Sequence, residues 1–397
     1  MSDLEAFQLE VRQWLDANCP ASLRKKNRSP KDTHYGGRNK VFRSTDAQLW
    51  FERVRDKRWI KPEWPSEYGG ADFSRDQLKI LNKEMSRLHC PPAIFDLGQT
   101  LFGPVILEFG NEEQKREHLT AITNGDARWC QGYSEPGAGS DLASLKTKAD
   151  DMGDHFLVNG SKIWTTNADL ADWIFCLVRT RTDGPKQQGI SVLLIDMAST
   201  GISTKPIKLI SGDSEFCETF FDNVRVPKAN LLGELNNGWT IAKRVLQHER
   251  AMMSGGEFFG EMGPDIVTLC REYAGTDEQG RISDPIIRDE LARHLMHTQA
   301  DSLSGLRLFM MGKAGIDDGG LAATLKYSST GEIQRKNEFM LSVMGNQGLS
   351  WEDPTFGEDE RALAQAWASE KAYTIAGGTS EVQLNILAKR VLGLPDK

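Results

Sequence analysis

A carboxylate on the apolar side of a predicted helix is the residue of this chain whose position most suggests acid–base chemistry. The helical period over residues 237–253 places one apolar stripe along the helix, formed by Ala242, Val245, Leu246 and Met253. Glu249 follows Val245 by four residues, so its side chain projects from that stripe. An ionised carboxylate that faces a core is costly unless it is paired or its pKa rises. A raised pKa is what a base that removes a weakly acidic C–H proton would use.

An ion pair explains the same position of Glu249 without any catalysis. Arg244 and Arg250 are both within reach along the helix, and a neighbouring helix could supply another cation. Taken alone, this helix favours the ion pair over the base, because structural ion pairs also perturb carboxylates.

Two further segments have residue types suited to binding a ligand. The run CQGYSEPGAGSD at residues 130–141 is rich in glycine and small hydroxyl residues, so its backbone N–H groups can approach a ligand closely. It lacks the third glycine and the following helix of a dinucleotide-binding fingerprint, and an ordinary β-turn explains it equally well. The run KIWTTN at 162–167 offers an aromatic face beside hydroxyls, or else a tryptophan that covers the edge of a β domain.

Other candidate sites are weaker. His294 and His297 have helical spacing but no third ligand nearby, so we expect a solvated helix face and no metal. The basic run at residues 24–40 is typical of a solvated loop. The chain contains no GxSxG, HExxH or P-loop sequence.

The elements that must position these residues fall into three blocks. Three- and four-residue apolar spacing predicts helices in residues 1–125, and alternating strand-like runs predict a β domain over 126–235. Within that domain, Asn159-Gly160 predicts a tight hairpin. Helical spacing returns over 236–397, with breaks near Gly255-Gly256, 275–282, 315–320 and 353–358, which favours a helical bundle.

Composition narrows the class of protein. The 397 residues carry a formal charge of −8, which disfavours nucleic-acid and anionic-membrane partners. No apolar run reaches the length of a membrane span, and the N-terminal residues lack the apolar core of a signal peptide. The six cysteines are scattered without CxxC pairs, which is typical of reduced thiols. We therefore expect a cytoplasmic protein.

Four segments together resemble the acyl-CoA dehydrogenase family, and the resemblance covers essentially the whole chain. They are YSEPGAGSD at 133–141, KIWTTN at 162–167, VRVP with LG at 224–233, and GTSEVQ at 378–383. The resemblance implies an α+β, mainly helical fold: an N-terminal helical domain, a middle β-barrel-like domain and a C-terminal four-helix bundle. It also implies dimers or dimers of dimers, with identical or different chains.

The resemblance implies FAD as the cofactor. Trp164 would pack against the isoalloxazine ring, with Thr166 beside its N5 edge. The side chain or backbone of four more residues would hydrogen-bond the ring and its ribityl chain: Gln131, Tyr133, Ser134 and Gly139.

Further positions follow from the same resemblance. Ser140 matches a residue that reaches a phosphate-bearing ligand, either FAD or CoA, and Ser140 and Arg250 are expected at the substrate. The expected contacts with the distal part of the cofactor are Thr379, Glu381, Gly345 and Gly348.

Two departures from the family pattern matter. Many members place the catalytic glutamate immediately before the Gly-Thr of the C-terminal motif, and that position is Gly377 here. A smaller group has a Glu-Arg pair that precedes Gly-Gly on the first bundle helix, which Glu249-Arg250 and Gly255-Gly256 match. The empty position therefore favours Glu249 as the base. The second departure is the absence of the family's Gln at the FAD pyrophosphate site, so a different subunit could share that site.

The activity implied is α,β-dehydrogenation of an acyl-CoA thioester to a trans-2-enoyl-CoA. Glu249 would abstract the α-proton, hydride would pass to flavin N5, and an electron-transfer flavoprotein would accept the electrons. An acyl-CoA oxidase, and a non-catalytic or partly catalytic subunit of a heteromeric dehydrogenase, remain alternatives. The acyl group is not determined by the sequence; fatty, branched, aromatic, dicarboxylic and steroid side-chain acyl groups are all compatible.

Overall fold

The computed structural model of the chain describes residues 2–25, 32–254, 265–316 and 320–395. The chain divides into two compact units. The first comprises residues 1–207 and 214–248, and the second comprises residues 208–213 and 249–397.

The first unit begins with helices that surround an aromatic core. Trp50 and Phe51 are almost completely buried there, together with Leu15. The buried carboxylate of Glu84 ties two helices together, because Arg12 donates to it at 2.8 and 3.0 Å and Arg87 at 2.7 Å. The α-helices of this part are α1 Asp3–Asn18, α2 Thr45–Asp56, α3 Arg75–Arg87, α4 Gly103–Phe109, α5 Glu112–Gln114 and α6 Thr120–Thr123.

An eight-stranded sheet completes most of this unit. Its strand order is β6-β7-β3-β2-β4-β5-β8, and β1 pairs with β4 in parallel. Strands β4 and β5 are buried along most of their length, as expected where both faces are covered. The strands are β1 Trp129–Gly132, β2 Lys148–Asp151, β3 His155–Thr166, β4 Trp173–Arg179, β5 Ile190–Asp196, β6 Ile202–Ile207, β7 Phe216–Pro227 and β8 Leu231–Leu232.

The hairpin predicted at Asn159-Gly160 is wrong. These residues lie inside β3, and the register against β7 shifts between Val158 and Gly160, which marks a bulge. Gly160 has a φ of 145°, and a Cβ there would come within 2.7 Å of the Thr147 backbone. A glycine is therefore required here, because it adopts the bulge conformation and lets two backbone segments of the chain approach closely. The actual turn between β2 and β3 lies at Met152–His155, where the Met152 N–H donates to the His155 carbonyl.

A buried ion pair joins the 133–141 segment to β3. Lys162 is 0% exposed and donates to Glu135 Oε1 at 2.9 Å and to the Tyr133 carbonyl at 3.1 Å. The other acceptor sites of Glu135 are taken by the backbone N–H groups of Lys146 at 2.6 Å and Thr147 at 2.8 Å. Burial alone would raise the pKa of Glu135, but the Lys162 charge and the Thr147 hydrogen bonds bring it below the ordinary value.

The second unit is helical and is built around one long helix, α10. The α8, α9, α11 and α12 helices all contact α10. Helix α7 carries Glu249, the first residue of the main segment of this unit. The helices are α7 Gly238–Ser254, α8 Ile266–Ala274, α9 Pro285–Lys313, α10 Leu321–Met344, α11 Glu358–Ser369 and α12 Ser380–Ile386.

The mainly helical fold with a central β domain is confirmed. Three of the predicted breaks fall between the helices of the second unit, and Gly255-Gly256 lies outside the described residues. The domain boundaries at 125 and 235 stay a prediction. Within the described part of the chain, no helix has the combination of length and apolarity needed to cross a bilayer.

Lys162→Met is expected to destabilise the first unit by roughly 3–5 kcal/mol, because it leaves the Glu135 carboxylate buried without its cation. The measurement is the free energy of unfolding by urea, followed by tryptophan fluorescence. Glu135→Gln alone should also destabilise the protein. The double variant should lose less than the sum of the two single losses, since neither charge is then left unpaired. Strictly additive losses would contradict the coupling.

Candidate functional site

The glycine-rich segment forms an open loop after β1. Glu135 and Ala138 exchange backbone hydrogen bonds at 3.1 and 3.0 Å, which closes a tight turn around Pro136 and Gly137. Gly139 and Ser140 are exposed, and a Cβ added to Gly139 would meet no atom within 4 Å. The loop thus presents backbone and one hydroxyl to open space, as a ligand-binding loop requires.

The segment leading into that loop lies deeper in the protein. Gln131 lies on β1 opposite Phe175 and is partly exposed, whereas Tyr133 is 5% exposed with its ring 6.3 Å from that of Phe175. The Ser134 side chain is partly exposed, and its carbonyl accepts the N–H of Ile163 at 2.9 Å. This hydrogen bond places Ser134 directly beside the second predicted motif.

Trp164 has an unusual conformation for a large side chain. It is 52% exposed near the end of β3, a strand in which buried and more exposed residues alternate, and its φ is 60°. A positive φ at a bulky residue stores strain of order 1–3 kcal/mol, and such residues cluster at ligand sites. The register shift between Lys162 and Thr165 shows that a bulge turns the ring outward. Its one ring neighbour among the described residues is Phe216, edge-on at 6.1 Å.

The hydroxyls that follow Trp164 differ in environment. Thr166 is partly exposed and pairs with Phe216 at the end of β3. Thr165 is 0% exposed, and its Oγ1 has no hydrogen-bond partner among the described residues. An exposed indole face, adjacent hydroxyls and an open loop of backbone donors fit a planar ring with a polar tail, and therefore fit the flavin of FAD.

Glu249 continues the buried side of α7. Ala242 and Val245 are both 0% exposed, and Glu249 is partly buried. Arg244, one of the cations that could have paired with it, donates instead to Glu108 at 2.7 Å and to Gln247 at 3.1 Å. The placement of Glu249 after the apolar stripe thus matches the sequence pattern, and Arg244 is occupied elsewhere. The side chain of Arg250 lies outside the described residues.

A cleft runs beside the first turns of the same helix. It has a volume of about 320 Å³ and is lined by Glu108, Phe109, Thr240, Lys243, Arg244 and Gln247. It belongs to the first unit and contains none of the residues predicted to bind the cofactor.

Five predicted residues besides Arg250 lie in the second unit. Thr379 caps α12, because its side chain accepts the N–H of Val382 at 3.2 Å, and Glu381 is exposed on the first turn. The pKa of Glu381 is lowered, first by a hydrogen bond from its own backbone and then by one from Thr379. This arrangement leaves Glu381 ionised at neutral pH.

The two remaining glycines have local structural explanations. Gly345 ends α10 with a φ of 59°, and a Cβ on Gly348 would come within 2.6 Å of the Leu341 carbonyl. Helix termination and close packing account for both positions without a ligand. His294 contacts Glu332 at 2.8 Å and is not the solvated residue that its spacing suggested.

Seven predicted residues lie in the first unit, on β1, on the loop that follows it and on β3, whereas Glu249, Thr379, Glu381, Gly345 and Gly348 lie in the second. The first set is Gln131, Tyr133, Ser134, Gly139, Ser140, Trp164 and Thr166. Two residues that sequence reasoning missed are Lys162, which fixes the loop, and Lys326, a buried lysine on α10. Their burial is a tertiary property, because lysine is ordinarily a surface residue.

Comparison with known proteins identifies the family. The acyl-CoA dehydrogenase N-terminal domain matches residues 2–126, the middle domain matches 130–224, and the C-terminal domain matches 236–392. The acyl-CoA dehydrogenase IpdE1 of Mycobacterium tuberculosis is 33% identical over 398 residues, which cover 100% of this chain and 99% of that protein.

Solved structures agree with this match. One is named the Tcur3481-Tcur3483 steroid ACAD; it has a TM-score of 0.76 and 28% identity, covering 99% of this chain and 98% of that one. Another is the ChsE4-ChsE5 complex from Mycobacterium tuberculosis, with a TM-score of 0.73 and 27% identity over 100% of this chain and 99% of that one. Three domain matches in order along the chain and a full-length relative at 33% identity establish that the chain belongs to the acyl-CoA dehydrogenase family.

Proposed function

We propose that this chain catalyses the FAD-dependent α,β-dehydrogenation of an acyl-CoA thioester to a trans-2-enoyl-CoA, with Glu249 as the base. The observation that carries the proposal is the position of the Glu249 carboxylate after the fully buried Ala242 and Val245. Gly377, at the position where many family members have the glutamate, has a φ of 63°, a conformation that favours glycine. A base is required, and the partly buried carboxylate of Glu249 is our proposal for it.

The reaction needs a base and a stabilised negative charge. An α C–H beside a thioester is too weakly acidic for a carboxylate unless hydrogen-bond donors meet the carbonyl oxygen as charge develops on it. When bound, FAD supplies the acceptor for the β-hydride. Glu249 accepts the α-proton on a carboxylate oxygen, and its partly buried position limits competition from water.

The residues proposed to hold the ring and ribityl chain of FAD lie on β1, on the loop that follows it and on β3. Trp164 offers its exposed indole to the ring, and Thr166 and Ser134 offer hydroxyls beside it. The backbone of Gln131, Tyr133 and Gly139 supplies further donors and acceptors. Thr379, Glu381, Gly345 and Gly348 are proposed for the distal part of the cofactor.

Ser140 and Arg250 are the proposed contacts with the CoA part of the substrate. Ser140 is exposed at the tip of the loop, where it can reach a phosphate-bearing ligand. One of the similar solved structures is named a steroid ACAD, which supports including steroid side-chain acyl-CoAs beside straight, branched and aromatic ones in a substrate panel. An electron-transfer flavoprotein is the proposed acceptor of electrons.

The exposed surface of α9 supports assembly with a second acyl-CoA dehydrogenase chain. Along its 29 residues, Leu291 is the one buried residue, at 7% exposed, while large apolar side chains repeat along an exposed face. These side chains are Met296 (71% exposed), Leu303 (56%), Leu306 (54%) and Met310 (61%). A contiguous apolar helix face of this kind marks a protein interface, and relatives include a two-protein complex. We propose a copy of this chain or a homologous chain as the partner.

Glu249→Gln is expected to retain FAD but to lower the rate of anaerobic flavin reduction by an acyl-CoA roughly 10²- to 10⁴-fold, the usual contribution of a general base. Stopped-flow absorbance at the flavin band, over the acyl-CoA panel, gives the rate. Glu278→Gln, in an exposed turn, is the matched control and should react as the wild type does. Flavin reduction by the Glu249→Gln variant at the wild-type rate would refute the assignment.

Trp164→Ala is expected to weaken FAD binding about tenfold or more, because the exposed indole supplies a face for the ring. The stability of the apoprotein should change by only about 0.5 kcal/mol, since the side chain is largely exposed. Equilibrium titration of apoprotein with FAD and thermal unfolding separate these effects. Leu170→Ala, at a 59% exposed position of the same unit, is the control. An unchanged affinity for FAD in Trp164→Ala would exclude this contact.

Leu303→Lys combined with Leu306→Lys is expected to reduce the oligomeric mass, because two charges then interrupt the apolar face of α9. Light scattering coupled to size-exclusion chromatography measures the mass, with this chain alone and with the product of a neighbouring dehydrogenase gene. Glu272→Lys, at an exposed position on α8, is the control for added charge. If the double variant keeps the wild-type mass in both mixtures, α9 is not the interface.

A further inference from the structure

Two threonine hydroxyls on the buried side of β3 and β7 have no hydrogen-bond partner among the described residues. Thr165 on β3 and Thr219 on β7 are both 0% exposed, and neither Oγ1 atom makes a hydrogen bond there. Burial without a hydrogen bond is costly for a hydroxyl, and native proteins satisfy nearly all such groups with protein atoms or with ordered water. The two hydroxyls are therefore candidates for binding a small polar molecule.

The ammonium group of Lys162 lies on the same side of β3 and has hydrogen-bonding capacity to spare. An ammonium carries three N–H donors. Two of them are used in the described part of the chain, by Glu135 Oε1 at 2.9 Å and by the Tyr133 carbonyl at 3.1 Å. The side chain is 0% exposed, so bulk water does not reach the third donor. A charged donor that is buried without an acceptor costs more than a neutral one.

The strand register brings these three side chains together. Lys162 lies directly opposite Thr219, and Thr165 lies opposite Cys217, the next buried residue along β7. Residues that are directly opposite on antiparallel strands have Cβ atoms about 4.5–5.5 Å apart, and diagonal neighbours such as Thr165 and Thr219 are about 7–8 Å apart. A water molecule can bridge polar groups at such separations, which are too long for direct hydrogen bonds between short side chains.

Neighbouring polar groups on these strands are already satisfied by the protein. Thr147 Oγ1 donates to the Ser161 carbonyl at 3.2 Å. Cys217, the residue opposite Thr165, donates its Sγ–H to Asp169 Oδ1 at 3.4 Å. Within the described parts of β3 and β7, the two threonines are the residues that have a buried side-chain oxygen or nitrogen without a partner. The unsatisfied groups are thus concentrated at one place, beside Lys162.

We propose that Lys162, Thr165 and Thr219 bind one internal water molecule, which holds the bulge that turns Trp164 outward. The water accepts the third N–H of Lys162 and donates one hydrogen to each threonine Oγ1, so it makes the three hydrogen bonds typical of a buried water. Thr165 and Thr219 are then positioning residues that act on the cofactor through Trp164. This inference rests on the proposed function in one respect, namely that Trp164 contacts the FAD ring.

The position of the water explains how it acts on Trp164. The register of β3 against β7 shifts between Lys162 and Thr165, so the residues at the two ends of the bulge both bind the water. A ligand that joins both ends restrains the two residues between them, and one of these is Trp164, with its φ of 60°. A conformation of this kind persists only where its surroundings determine it. The water supplies part of that restraint.

Thermal unfolding of the apoprotein variants Thr165→Val and Thr219→Val tests the water site. Valine has nearly the shape of threonine without the hydroxyl. If the hydroxyls bind a water, each variant leaves that water or its other partners unsatisfied, and the melting temperature is expected to fall by roughly 3–6 °C. Hydroxyls that merely lack a partner give the opposite result, because valine then removes an unsatisfied group. A wild-type or raised melting temperature in both variants would overturn the site.

Thr182→Val is the matched control for the substitution itself. Thr182 is exposed in a loop of the same unit, so its replacement should leave the melting temperature unchanged.

The double variant shows whether the two hydroxyls share one ligand. Once Thr165→Val has displaced the water, Thr219→Val should cost little more, so the combined loss is expected to be clearly smaller than the sum of the single losses. Additive losses would contradict a shared water.

A crystal structure of the apoprotein at better than about 2 Å resolution gives a direct view of the site. Water density is expected within roughly 3.2 Å of Lys162 Nζ and of both threonine Oγ1 atoms. It should disappear in the double valine variant. Well-ordered side chains without such density in the wild type would refute the proposal.

Equilibrium titration of apoprotein with FAD tests the link to Trp164. Thr165→Val is expected to weaken FAD binding by about three- to tenfold, because the bulge is then less restrained before the cofactor binds. Added to Trp164→Ala, the same change should weaken binding no further, since Thr165 acts through Trp164. An unchanged FAD affinity in Thr165→Val, despite a lowered melting temperature, would overturn the positioning role.

The water site and the proposed function can fail separately. Melting temperatures and crystallographic density come from the apoprotein, so they do not depend on whether Glu249 is the base. If Glu249→Gln reduces flavin at the wild-type rate, the proposed function fails while the water site is still decided by the valine variants. If Trp164→Ala binds FAD as the wild type does, the contact with the ring fails and the positioning role fails with it.

Discussion

The buried ion pair between Lys162 and Glu135 is the interaction on which the proposed cofactor face depends. It joins the glycine-rich loop to β3, and Lys162 also holds the Tyr133 carbonyl while two backbone N–H groups complete the shell of Glu135. Two charges without access to water are tolerated only because their hydrogen-bonding capacity is used. The pair fixes the base of the loop, so Gly139 and Ser140 can stay open at its tip without loosening it.

The ring of Trp164 is exposed for a related reason. Lys162, two residues earlier in the strand, is buried, and a bulge between Lys162 and Thr165 breaks the strict alternation that would place both side chains on the same face. The bulge and the positive φ at residue 164 then carry the indole to the surface, where an apolar side chain would ordinarily be a liability. The strained conformation is maintained by the surrounding sheet and is consistent with a ligand-binding residue.

In the second unit, one helix contacts four other helices and also holds the turn that precedes Gly377. Helix α10 contacts α8, α9, α11 and α12, and it carries Lys326 and Gln334, whose donors hold the turn before Gly377. The positive φ of Gly377 and Gly378 then shapes the entry to α12, which Thr379 caps. Gly377 is thus a glycine of positive φ in a segment whose backbone is held by side chains of neighbouring helices.

The sequence by itself determined the family and the mainly helical fold, and it predicted Glu249 on the apolar side of its helix, because these depend on local spacing and residue type. The prediction of a hairpin at Asn159-Gly160 was wrong, because this turn-forming pair forms a bulge inside β3. The bulge lies against Thr147, and that contact between separate segments cannot be read from the local sequence. Sequence reasoning also failed at His294, whose partner Glu332 lies on another helix. Only the tertiary structure decided that Lys162 and Lys326 are buried and that Glu135 is the partner of Lys162. Burial of a lysine depends on what packs over it from distant parts of the chain, and no local pattern records that.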